Sequence, residues 1–321
     1  MAFIQRIHHG AAGPSKAFKC VAGGEGLNRK VSKIKMEVAF MRLALLGDLH
    51  YSSMSHGTEE MRAARVRAYE HMFKAFLKED ADYHISIGDL THEGTAQELR
   101  SIFSMLAKSE REFIHVLGNH DTYSLPKHEI STLTGQKRYR AIDTPHVRLI
   151  FLDTTQEMNR EDWGGELDEE QLTWIKGQLA HSHGKQMLVF GHHPVFDTTA
   201  RSTLDKLYIR PQDELKGVFN SRPGGGIYFC GHNHMNSIVK QEEWHYVQTA
   251  ACLDVPAYRV IEVHEGEVII THQRMLDADL NNDIQSFCLD TPGFGPVANA
   301  LGEETDLILS IQLARLHNNG K

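Results

Sequence analysis

The chain predicts a layered α/β fold, and three features of its 321 residues predict it. Short β-branched and aromatic runs alternate with stretches whose apolar residues recur every three or four positions, the patterns of strands and amphipathic helices in turn. Most strand-like runs end in a glycine followed by polar residues, at the carboxyl ends where open α/β sheets gather their ligand groups. The length and a 41% hydrophobic content suffice for one sizeable core with extensions on either side.

Residues 1–38 carry seven basic residues against two acidic ones, glycines at 23, 24 and 26, and no sustained apolar periodicity. They lack the apolar core of a signal peptide. They read as a disordered extension or a translation start placed too early, rather than a transit peptide. Residues 41–46 (MRLALL) then open the domain as a strand. A helix over 58–79 places Met61, Ala64, Ala68, Met72, Ala75 and Phe76 on one face. A strand over 83–87 precedes a helix over 95–107 that starts with a capping box, Thr95 with Glu98. Strands over 112–117 and 147–152 lead to a helix over 168–181, on which Leu172, Ile175 and Leu179 line up. After a strand at 186–190, Pro211 suits the first turn of a helix running through Phe219. A strand at 227–230 and a hairpin of 257–263 with 267–272, turned at Glu265-Gly266, complete a domain expected over 39–276. Residues 277–321 are polar, then punctuated by Pro292, Gly293, Gly295 and Pro296, then helical from about 303 to 316. They read as a C-terminal appendage.

Composition removes several function classes. The net charge of −8 argues against a nucleic-acid partner, which usually meets a basic face. No apolar run approaches the roughly 18 residues of a membrane span. The cysteines, Cys20, Cys230, Cys252 and Cys288, are far apart with no CxxC spacing, which reads as reduced thiols in a cytoplasm. Oligomeric state is not fixed by the sequence, and a homodimer is open. Histidine is the outlier, with 21 residues.

Five motifs concentrate the chemistry: Gly47-Asp48-Leu49-His50, Gly88-Asp89, Gly118-Asn119-His120-Asp121, Gly191-His192-His193-Pro194 and Gly231-His232-Asn233-His234. Singly, each has a plainer reading, such as a turn with a capping carboxylate or a pair of surface imidazoles. Together they place carboxylates, an amide and imidazoles at successive strand ends, a donor set that suits Zn, Fe and Mn. The glycines let the backbone turn sharply there.

The order DxH, GD, GNHD, GHHP, GHNH resembles the calcineurin-like metallophosphoesterase family over residues 41–272. The resemblance implies a four-layer fold, a two-sheet β-sandwich flanked by helices, with a dinuclear metal site at the strand carboxyl ends. It implies that Asp48, His50, Asp89 and His234 hold one ion, and that Asp89, Asn119, His192 and His232 hold the other. Asp89 bridges the two. It implies Mn, Fe or Zn as cofactors, divalent or mixed-valence, and a metal-bound hydroxide as the nucleophile that attacks a small phosphate ester. Two divalent ions with Asp48, Asp89 and a bridging hydroxide retain about one net positive charge, suited to phosphate. His120, no ligand in that pattern, resembles the histidine that protonates the leaving oxygen, with Asp121 as its orienting carboxylate. His193 is open between substrate contact and structure. Where the protein Ser/Thr phosphatase branch has Asp-Arg-Gly, this chain has His92-Glu93-Gly94, and Asp121 stands in place of that branch's Glu. Gln171 with Trp174 is similar to the bacterial cyclic-nucleotide phosphodiesterase and purple-acid-phosphatase-like side. His92 stands where the purple enzymes place a tyrosine ligand. A phosphodiesterase acting on small or cyclic-nucleotide-like diesters is therefore expected, with a small-molecule phosphomonoesterase, a repair-type nuclease and a scaffold that kept the fold but lost the chemistry as alternatives.

Overall fold

The computed structural model describes residues 39–53, 56–182 and 184–312, so the N-terminal segment 1–38 lies outside the described residues. Strand β1 (Met41–Leu46) leads to α1 (Glu59–Lys78), whose N-cap Thr58 accepts the Met61 N–H. Then come β2 (Tyr83–Ser86), α2 (Ala96–Leu106) with the reciprocal Thr95–Glu98 box, and β3 (Phe113–His115). The chain continues through α3 (Lys127–Thr134), β4 (Arg140–Asp143), β5 (Val147–Phe151), β6 (Gly165–Glu166), α4 (Glu169–Ala180), β7 (Gln186–Phe190) and β8 (Ile209–Arg210). It closes with α5 (Glu214–Asn220), β9 (Gly226–Cys230), β10 (Ser237–Gln241), β11 (Trp244–Gln248), β12 (Ala257–His264), β13 (Glu267–Arg274), α6 (Ala278–Phe287) and β14 (Leu309–Gln312).

Two six-stranded sheets result, in the orders β14-β13-β12-β1-β2-β3 and β10-β11-β9-β7-β5-β4. Strands β1, β2 and β3 run parallel, as do β5, β7, β9 and β11, so each sheet aligns several carboxyl ends. Alternate residues of β1 serve two cores, because successive side chains leave opposite faces of a strand. Leu43 and Leu45 pack between the sheets with Phe151, Phe190 and Phe229, whose rings stack at 5.0 and 4.9 Å. Ala44 and Leu46 face outward into a cluster with Ala68, Met72 and Phe76 of α1. On the far side, Ile150, Met187 and Val189 pack against Leu172, Ile175 and Leu179 of α4 and Phe219 of α5. The order helix, sheet, sheet, helix is the four-layer sandwich expected.

The structure corrects two helix boundaries. Pro211 does not open α5: the helix starts at Glu214, and residues 211–213 form a turn in which the Glu214 N–H bonds the Pro211 carbonyl. The helix expected from about 303 to 316 is only a single 3-10 turn, Glu304–Asp306, after which Leu309–Gln312 is a strand paired antiparallel with β13. Leu309 and Ile311, two apart, both reach the core between the sheets, so the period of two prevails. Residues 313–316 lie outside the described residues. The segment read as an appendage packs into the fold, with Leu280, Ile284 and Phe287 of α6 in the same cluster as Tyr69 and Met72 of α1. Among the described residues no helix is long and apolar enough to cross a membrane.

Candidate metal centre

The five motifs leave β1, β2, β3, β7 and β9 at their carboxyl ends and converge. The first two loops are laced together, since the N–H groups of Leu49 and His50 both donate to the Asp89 carbonyl, at 3.0 and 2.8 Å. That lacing holds an unusual backbone. His50 (φ 51°), Asp89 (φ 46°), His232 (φ 66°) and His234 (φ 55°) all sit in the left-handed region, at roughly 1–3 kcal/mol each. Gly88 needs its φ of 108°, as the motif suggested, but clearance matters as much as turning. At Gly231, where φ is ordinary, a Cβ would overlap Asp48 Oδ1.

Most ligand candidates hold one polar atom on a supporting group and turn the other toward their fellow candidates. Asp48 Oδ2 accepts the His232 N–H at 2.8 Å, while buried Oδ1 has no donor. Asp89 Oδ1 accepts the His120 N–H at 2.8 Å, and its Oδ2 lies 3.4 Å from His192 Nε2 and 3.8 Å from His50 Nε2. His192 gives Nδ1 to the Ile87 carbonyl at 3.0 Å, and His232 gives Nε2 to the Lys206 carbonyl at 2.9 Å. Their remaining nitrogens lie 3.3 Å apart. Asn119 donates Nδ2–H to Tyr123 at 2.7 Å, which turns its Oδ1 to within 3.1 Å of His192 Nε2. His234 Nδ1 stands 3.4 Å from Asp254 Oδ2, and its Nε2 is 2.9 Å from His50 Nε2 and 3.3 Å from Asp48 Oδ2.

Two cages emerge. The donor atoms of Asp48, His50, Asp89 and His234 lie within 4.8 Å of one another. Around His192 Nε2, Asn119 Oδ1, Asp89 Oδ2 and His232 Nδ1 gather at 3.1, 3.4 and 3.3 Å. Facing imidazole nitrogens, a neutral amide oxygen and carboxylate oxygens, one of them orphaned, are buried together, and this donor set fits two metal ions.

The electrostatics agree. Burial pushes Asp48 up to about 6 against the pull of His192 and His234. Burial also works against Asp89, yet His192, His120 and His50 outweigh it and hold that carboxyl well below the usual range. His192 is raised to about 9, because the Asp89 and Asp48 carboxylates overcome its burial. Burial and the neighbouring His192 press His232 down to about 3, and burial with His120 and His234 lowers His50 far below the ordinary imidazole value. Divalent ions bound here would favour the ionised carboxylates and neutral imidazoles that ligate them.

Half-buried His120 donates its Nδ1–H to the His92 carbonyl at 2.6 Å. Asp121, expected to orient it, is engaged elsewhere: its carboxylate accepts the N–H groups of Leu90, Thr91 and Gly118 and the Thr91 hydroxyl. Asp121 thus ties two ligand loops together, and a main-chain carbonyl orients the imidazole. His193 has both ring nitrogens on protein groups, with Nδ1 2.8 Å from Thr154 Oγ1 and Nε2 donated to the Trp163 carbonyl at 2.9 Å. The sequence reading missed Tyr123 and Asp254. Tyr123 had a faint signal, four residues after Asn119; Asp254, twenty after His234, had none.

Comparison with known proteins fits this centre. The family model for calcineurin-like phosphoesterases matches residues 41–236. The glycerophosphodiester phosphodiesterase GpdQ of Enterobacter lignolyticus is 25% identical over 235 residues, covering 70% of this chain and 81% of that protein. The 3′,5′-cyclic adenosine monophosphate phosphodiesterase CpdA of Escherichia coli is 22% identical over 240 residues, covering 69% and 82%. In fold, a dimetal phosphatase from Danio rerio aligns with a TM-score of 0.62 at 16% identity, covering 74% of this chain and 98% of that one. The chain belongs to the calcineurin-like phosphoesterase family and is a hydrolase of phosphoric esters.

Proposed function

We propose that this protein is a dinuclear metal-dependent phosphodiesterase acting on small diesters in the cytoplasm, a glycerophosphodiester or a 3′,5′-cyclic nucleotide among them. Asp48, His50, Asp89 and His234 hold one ion, and Asp89, Asn119, His192 and His232 hold the other. The observation that carries this reading is the position of Asp89 Oδ2, which faces His50 in one cage and His192 in the other. Ions bound there would supply an activated water and offset the charge that develops during an in-line displacement at phosphorus. Imidazole, carboxylate and amide donors favour Mn, Fe or Zn over calcium.

His120 serves as the general acid. Its Nδ1–H stays on the His92 carbonyl, so Nε2 is the atom that gains and delivers a proton, and the neutral ring left behind is the tautomer the carbonyl already selects. The diester preference is supported by the similarity to GpdQ, a glycerophosphodiester phosphodiesterase, and CpdA, a cyclic adenosine monophosphate phosphodiesterase. The test is a panel of aryl diesters, aryl monoesters, glycerophosphodiesters and cyclic nucleotides, assayed after chelation and after return of each metal. The expected result is a higher kcat/KM on diesters than on monoesters with the same leaving group. A preference for monoesters would make the protein a phosphomonoesterase instead.

A further inference from the structure

The two cages are backed by different parts of the chain. His192 and His232 place their outer nitrogens on the main-chain carbonyls of Ile87 and Lys206. His50 and His234 are backed by side chains, His92 and Asp254, and both of these are tied to one remote stretch, residues 291–297.

His92 Nε2 lies 2.6 Å from the Pro292 carbonyl. A carbonyl only accepts, so Nε2 carries the hydrogen and the neutral ring keeps a bare Nδ1. That nitrogen is 3.3 Å from His50 Nδ1, placed to accept its hydrogen and leave His50 Nε2 free to ligate. Asp254 does the same for His234. Its Oδ1 accepts the Val297 N–H at 2.9 Å, while Oδ2 stands 3.4 Å from His234 Nδ1, again freeing Nε2. Between these two supports, Phe294 sets its ring 5.3 Å from His50 and 5.4 Å from His234, and is only 7% exposed. The stretch is anchored at one end by α6 on α1 and at the other by Val297 and Ala300, which pack with Ala250 and Val255.

We propose that residues 291–297, acting through His92, Asp254 and the Phe294 ring, position the ion held by Asp48, His50, Asp89 and His234 and shield it from water, and that they leave the other ion's cage alone. This rests on the ligand assignment proposed above. The C-terminal stretch is then part of the outer shell of one metal and not of the other, so the two ions respond differently to its loss.

The experiment isolates each ion. In an Asn119→Ala background, which leaves the first cage, cobalt binding is followed by its visible absorption and by elemental analysis after dialysis. Adding Asp254→Ala or Phe294→Ala raises the dissociation constant by about 10–100-fold, the usual effect of losing an outer-shell partner. Asp254→Asn, which keeps an acceptor oxygen, and Phe294→Leu, which keeps an apolar cover, recover most of the loss. In a His50→Ala background, which leaves the second cage, the same substitutions do not move the dissociation constant. Melting curves confirm that each variant is folded. Unchanged binding in the first background, or equal weakening in both, overturns the proposal while the ligand assignment stands. An unsubstituted protein that holds fewer than two cobalt ions overturns the assignment itself, and this proposal with it.

Discussion

In the proposed assignment Asp89 serves both ions, and that makes it the most informative residue to change. Asp89→Ala removes a donor from two ions, whereas Asn119→Ala removes one from a single cage, so elemental analysis should show Asp89→Ala losing both metals and Asn119→Ala chiefly one. Equal losses would contradict a bridging role. His120→Ala should slow an alkyl diester by about 10²–10⁴-fold and an aryl diester less, since a nitrophenolate leaves without a proton. Rate constants on the two esters at matched metal occupancy check this, and equal losses would reduce His120 to an electrostatic contact. The candidate ligands were legible because each follows a strand-terminal glycine by one to three positions. The main-chain partners of His192 and His232 were not, because the carbonyls of Ile87 and Lys206 belong to residues whose side chains carry no relevant signal. Asp121 was legible as important and misread in role, since adjacency to His120 says nothing of which way its carboxylate turns.

At the scale of elements, the loop after β5 is fixed to α4 by a two-way amide bond. Gln171 Oε1 accepts the Asp153 N–H at 2.8 Å, and its Nε2–H donates to the Asp153 carbonyl at 2.7 Å. The Gln171–Trp174 spacing noted in the sequence therefore has a packing reason in this chain. The Asp153 carboxylate joins α3 through Lys127 at 2.9 Å and the loop after α3 through Arg138 at 2.7 Å. Burial opposes its charge, but Lys127, Thr155 and Arg138 prevail and hold it below the usual carboxylate value. A folded-state pKa below the unfolded one contributes stability above the unfolded value, about 3.9, and loses it as pH falls through the folded value. Asp153→Asn should cost about 2–4 kcal/mol near neutrality, with Arg138 only partly buried, and should flatten the acid limb of the melting profile. Melts of both proteins from neutral to acidic pH check it; parallel profiles would show that the pair adds nothing. Helices with strong caps were legible, α1, α2 and α4 within a residue or two. The edge strands β4, β10 and β14 were not, because their alternation is short, half-polar and completed only by a neighbour.

For the whole molecule, alternation made the α/β class legible, but the division into two sheets came only with the family resemblance. A strand such as β1, apolar on both faces, announces that it is central without saying which strands it joins. The segment after 276 looked peripheral because its apolar residues are sparse, yet Leu280, Ile284, Phe287 and Phe294 all find cover in the main body. At the other end, a chain beginning at Ala39 should melt and turn over like the full one, since β1 starts at Met41. A large drop in either would show that residues 1–38 pack on the domain. The central claim, that two ions sharing Asp89 perform the hydrolysis, is tested most directly by titrating Mn into demetallated protein while following diester turnover. Activity should rise from background to a plateau at two equivalents per chain; full turnover without metal, or a plateau at one equivalent, would contradict it.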